Sequence, residues 1–259
     1  MKKYFILILL LYIAACKNED LKTESKIETH NIMEIRKDNV FEGTWFNSKF
    51  LEFIRKKKSI YDGMNILQYY PMVSFQFNSD TLNYFCASLT EGALSKLIID
   101  SLFVDNEWEC IGLNNENLSE ICYKNKQLLL KGNSIPKESE FIKISNSFHD
   151  YDSLLQILFC KELFEGKYID LEKNDTVMIS NNKIHFSNSN IHDFKIGLEF
   201  LSMSFDYIEI LDSKQVVSEF YHFSFKDNVL ILKLLEYVND KDNYNISNQK
   251  SYKLIKIIN

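Results

Sequence analysis

The first candidates for chemistry are five histidines: His30, His149, His185, His192 and His222. A zinc centre needs ligands brought together in tetrahedral geometry, usually by close pairs such as His-x3-His or Cys-x2-Cys, and the sequence contains neither. His185 and His192 can meet on adjacent strands, but two imidazoles without a third ligand read as solvent-face residues. No metal and no cofactor is expected. A nucleophilic Ser or Cys needs a base and an orienting acid; there is no Gly-x-Ser-x-Gly elbow, and the seven glycines form no phosphate-cradling loop. Asp105, Glu107 and Glu109 around Trp108 have the composition of a glycosidase carboxylate set, which requires two acids across a cleft. On one strand, however, Glu107 and Glu109 point to the same face with too little space between them, and they read as exposed charges. The chain is therefore read as not an enzyme.

Binding is the remaining possibility, and the aromatic residues carry it. In Tyr221-His222-Phe223-Ser224-Phe225 the aromatics alternate with polar residues, the period of a half-buried strand; Val177 and Ile179, or Ile184 and Phe186, do likewise. A strand face bearing Tyr221, Phe223 and Phe225 can line an interior, with Ile184, Phe186, Ile208 and Ile210 opposite it and few polar groups to orient a guest. Such a pocket selects an apolar small molecule by shape. In the competing arrangement the same side chains meet at the axis and close the space. With 30 Lys and Arg against 36 Asp and Glu, the net charge of −6 offers no footprint for phosphate backbones, so nucleic acid is not an expected partner.

Location is written at the N-terminus. Lys2 and Lys3 precede twelve apolar or aromatic residues, Tyr4 to Ala15. A helix of that length rises about 18 Å, short of the roughly 30 Å hydrocarbon core, so residues 1–15 read as a signal peptide. The run ends in Ile13-Ala14-Ala15-Cys16, which resembles the lipobox of bacterial lipoproteins. That resemblance implies a diacylglyceryl group on Cys16 and a membrane partnership through the lipid anchor. Lys17 stands where enteric bacteria place the inner-membrane retention Asp, which points to the outer membrane. Lys17-Asn18-Glu19-Asp20 resembles the export signal of surface lipoproteins of the Bacteroidota; the periplasmic face and the cell surface both stay open. Residues 16–40 are polar and read as the lipidated cysteine and tether.

The mature chain carries a duplication. Phe41-Glu42-Gly43-Thr44-Trp45 returns as Phe164-Glu165-Gly166-Lys167-Tyr168, and Glu140-Phe141-Ile142-Lys143-Ile144 returns as Lys253-Leu254-Ile255-Lys256-Ile257. Residues 164–259 read as about eight strands joined by tight turns, among them Asn181-Asn182, a pair suited to a type I′ hairpin. No helix-length segment separates one strand run from the next, which leaves an antiparallel meander, and eight such strands remove their edges by closing into an up-and-down barrel. Residues 41–144 read similarly, with a helical insertion around Phe50, Phe53 and Ile54 and a strand at Glu107 to Leu113. Residues 145–163 read as a helical linker joining two separately folded units. Gly43-Thr44-Trp45 resembles the first-strand motif of lipocalin and calycin families, which implies tandem lipocalin-like barrels, mainly β, with short helices.

An exported compartment permits disulfides among Cys86, Cys110, Cys122 and Cys160. A hairpin centred on Glu116 sets Cys110 opposite Cys122, within bridging distance. Two functions then compete: a non-catalytic lipoprotein holding a small apolar ligand, and a solid-barrelled interaction or inhibitor module whose partner is another envelope protein.

Overall fold

A computed structural model of the protein describes residues 40–64, 70–78, 80–136, 139–148, 151–187, 191–198, 203–238 and 243–257. The leader, Cys16, His30, His149 and all of the tether before Val40 lie outside them. Strands β1 (Gly43–Asn47), β2 (Met72–Asn78), β3 (Thr81–Ala87), β4 (Gly92–Asp105), β5 (Trp108–Leu113), β6 (Glu120–Lys124), β7 (Gln127–Lys131) and β8 (Glu140–Ser145) close in sequence order into barrel 1. Strands β9 (Gly166–Asp170), β10 (Thr176–Ser180), β11 (Lys183–Phe186), β12 (Ile191–Ile196), β13 (Tyr207–Leu211), β14 (Val217–Lys226), β15 (Val229–Val238) and β16 (Asn243–Lys256) close into barrel 2. Every pairing is antiparallel, so the fold is two tandem barrels of eight strands.

The duplicated pentamers build one brace twice. In barrel 1 the Trp45 indole N–H donates to the Phe41 carbonyl at 2.9 Å; in barrel 2 the Tyr168 hydroxyl donates to the Phe164 carbonyl at 2.6 Å. Trp45 is paired across the closing seam with Lys143, and Tyr168 with Lys256. Each lysine ammonium lies over its partner's ring, at 5.3 Å and 5.8 Å from the centroids. Each also donates to a carbonyl at the entry to the first strand, Lys143 to Val40 and Lys256 to Glu165. Gly43, with φ +109°, admits the chain where an added Cβ would lie 2.3 Å from the Ser145 carbonyl oxygen.

Tight turns keep the meander in register. Asn181 and Asn182 both have positive φ, and so do Asn106-Glu107 and Asn125-Lys126, as two-residue hairpins require. This corrects the expected strand from Glu107: Glu107 belongs to the turn, where its exposed carboxylate meets Lys124 at 2.7 Å, and β5 begins at Trp108.

Helix α1 (Ser48–Lys57) follows β1, capped by the Asn47 side chain, which accepts from the Phe50 N–H, and it buries Phe50, Leu51 and Ile54. A one-turn helix, α2 (Tyr61–Met64), comes next. Between the barrels, α3 (Tyr151–Phe159) runs into a π-helical turn, Cys160–Phe164. This connector is part of the packing: Leu155, Phe159, Cys160, Leu163 and Phe164 are buried in a core that joins Phe46 and α1 of the first unit to the interior of barrel 2. Arg55 grips Glu162 through two hydrogen bonds of 2.7 and 2.8 Å, and the Asp206 carboxylate accepts the Ile60 and Tyr61 N–H groups, both at 2.8 Å. The two units therefore share apolar and polar contacts.

Candidate functional site at the open end of barrel 2

The base of barrel 2 is filled. Phe164 rises into it from the π-helical turn and meets Phe223 edge-on with ring centroids 4.8 Å apart; Phe194 and Phe225 complete the contact at 5.7 and 6.0 Å. Ile208 is buried in the same cluster. Phe223, Phe225 and Ile208 are thus not on the cavity expected of them. They sit toward the base, where the aromatic brought in by the connector occupies the axis.

The remaining four, Ile184, Phe186, Ile210 and Tyr221, do line a cavity, of about 90 Å³, at the opposite end. Leu232 and Tyr252 complete its apolar wall. The expectation of few polar groups fails here, because Glu219, Lys250 and His192 face the same space. Lys250 donates to both Glu219 carboxylate oxygens, at 2.6 and 2.8 Å, and the Tyr221 hydroxyl donates to Oε2 at 2.8 Å. The ammonium also lies 5.6 Å from the centre of the Tyr221 ring. Burial works to raise the Glu219 carboxyl, but the hydrogen bonds from Lys250 and Tyr221 outweigh it and hold it below its ordinary value. Burial, helped by the hydrogen bond to Glu219, pushes the Tyr221 hydroxyl far up, so it remains a donor.

Strand alternation accounts for Glu219: it sits two residues before Tyr221 and opposite Ile210, so it shares their inward face. Lys250 arrives differently. β16 pairs Ser251 with Lys233 but Ile246 with Leu235, and the extra residues between form a bulge. His192 lies opposite Ile184 while His185 lies opposite Ile191, so the two imidazoles take opposite faces, and only His192 enters the mouth.

Among the described residues, apolar side chains are exposed beside the strand connections at this end. Leu171 is 53% exposed, Ile191 60%, Val216 59% and Tyr237 53%. Covering them is not required by the fold, since the other end of the barrel carries the helices. A larger hollow of about 360 Å³ lies in the cleft between the barrels, lined by Tyr151, Asp152, Gln156, Lys195, Tyr207 and Glu209 among others. Two of its groups are engaged in packing contacts: Tyr151 donates to the Thr90 carbonyl, and Gln156 exchanges hydrogen bonds with both backbone groups of Ile196.

Cys110 and Cys122 are direct partners on β5 and β6, 4.1 Å apart at Cα, and are joined in a buried disulfide of barrel 1. Cys86 and Cys160 are free and buried, and burial raises both thiols above their ordinary values. Among the described residues there is no group of three or more His, Cys, Asp or Glu able to hold a metal ion, and no helix long and apolar enough to cross a membrane. In comparisons with known proteins, no family model, no curated protein and no solved structure matches the chain.

Proposed function

We propose that the chain is a non-catalytic lipoprotein of the outer membrane, anchored through an acylated Cys16, that takes a small guest at the open end of barrel 2. The observation that carries this reading is a hollow lined by inward-facing strand residues, about 90 Å³ over an apolar floor of Ile184, Ile210 and Leu232. At roughly 30 Å³ per water-sized group it holds about three non-hydrogen atoms. A fatty chain does not fit, because Phe164, Phe223 and Phe225 occupy the depth it would need. Native mass spectrometry of the protein gently extracted from its own membrane tests the reading: a retained small mass supports it, and release of Cys16→Ala from the membrane fraction supports the anchor. A second reading, docking of another envelope protein on the same end, is favoured by the exposed apolar residues Leu171, Ile191, Val216 and Tyr237 there. A co-purifying chain in place of a small mass selects it.

A further inference from the structure

We infer that the guest at the mouth of barrel 2 is a small aliphatic zwitterion, an α-amino acid with a side chain of about three carbons, whose ammonium meets Glu219 and whose carboxylate meets Lys250. This rests on the reading that the open end of barrel 2 is a binding site. The inference comes from the charge arrangement around the cavity. Two opposite charges stand side by side at its lip, bonded at 2.6 and 2.8 Å, and their side chains keep 36% (Glu219) and 41% (Lys250) of their exposure. They are reachable from solvent and point across an apolar floor.

Four kinds of guest can be compared against this pair. A neutral apolar molecule strips water from both charges and returns nothing to either. A cation gains Glu219 but faces the Lys250 ammonium, and an anion gains Lys250 but faces the Glu219 carboxylate, so each is opposed by a like charge. Only a guest bearing both signs on groups that share one carbon adds a favourable contact to each member of the pair, making an alternating set of four charges. The Tyr221 hydroxyl fixes the carboxylate by donating to Oε2, and the Tyr221 ring supports the ammonium from below. His192 is the other ionisable side chain on the wall besides the tyrosines. The volume then sets the side chain: about 90 Å³ takes a propyl or isopropyl group and excludes an aromatic ring with its substituents.

Calorimetric titration of the full-length protein with L-norvaline, butylamine, butyrate and 1-butanol tests the inference. L-Norvaline should bind, and each of the other three should bind at least tenfold more weakly. Glu219→Gln and Lys250→Met should each weaken L-norvaline at least tenfold with unchanged far-ultraviolet circular dichroism, while Lys250→Arg, which keeps the charge, should stay within about threefold. Equal binding of 1-butanol and L-norvaline would overturn the zwitterion and leave the apolar site standing. Absence of binding by all four would overturn the site and the zwitterion together. Unchanged L-norvaline affinity in a folded Lys250→Met protein would also overturn the inference.

Discussion

In barrel 1 apolar side chains cross the interior, with Trp45, Phe75 and Phe141 fully buried and, among the described residues, only Thr44, Ser74 and Ser139 as buried polar side chains. In barrel 2 the same kind of packing runs from Phe164 through Phe223 to Leu232 and Ile210, and then gives way to Glu219 and Lys250. The seams are alike, each closed by a lysine over an aromatic ring. A shared frame with unlike contents separates what the fold requires from what one copy has added. The brace is required by closure. The Glu219–Lys250 pair lies beside a cavity and is not part of that brace.

The comparison can be broken first at the two cores. Phe75→Ala in barrel 1 and Phe223→Ala in barrel 2 should each cost roughly 3 to 5 kcal/mol in chemical denaturation, because both rings are fully enclosed. A loss under about 1 kcal/mol for Phe223→Ala would mean that barrel 2 is hollow at its base. Next in size is the disulfide, found only in barrel 1. Replacing Cys110 and Cys122 with Ser should lower stability by about 2 to 4 kcal/mol, as expected for closing a short loop, and a change within error would remove the disulfide from the account.

A smaller effect lies where the units meet. Asp206→Ala strips the Ile60 and Tyr61 N–H groups of their acceptor and should cost about 1 to 2 kcal/mol, with faster amide exchange at those two residues. The smallest concerns Arg55 and Glu162. The Arg55 hydrogen bonds hold the Glu162 carboxyl below its ordinary value, so its stabilisation is present above about pH 4.3 and is lost as pH falls through the lowered value. The stability difference between the parent and Glu162→Gln should be under about 1 kcal/mol near neutrality and should vanish in acid. A difference that grows in acid would contradict the assigned pairing.

How much of this was legible depends on how local each signal is. The strands of barrel 2 follow alternation and turn residues closely, and the two braces are visible as repeated pentamers, because Trp45 with Lys143 and Tyr168 with Lys256 recur at matching places. Glu219 was within reach of the same alternation that marks Tyr221. Lys250 was not, since the bulge in β16 resets which face its residues take, and a bulge leaves no plain mark in the sequence. The division of Tyr221 from Phe223 was also hidden: it depends on Phe164, some 60 positions away, entering the base from a segment that reads only as a linker. That connector, expected as a helical linker, is helical and is also buried packing, and sequence periodicity signals a helix without revealing what the helix touches.

The most direct test of barrel 2 as the working end is a methyl NMR titration of isoleucine-labelled full-length protein with L-norvaline, using 1-butanol as a purely apolar second probe. Ile184 and Ile210 line the mouth, Ile111 and Ile121 lie in the core of barrel 1, and Ile196 borders the cleft between the units. The account predicts saturable shifts at Ile184 and Ile210 with Ile111, Ile121 and Ile196 unmoved. Shifts centred on Ile111 and Ile121 or on Ile196, or no shift with either probe, would contradict it.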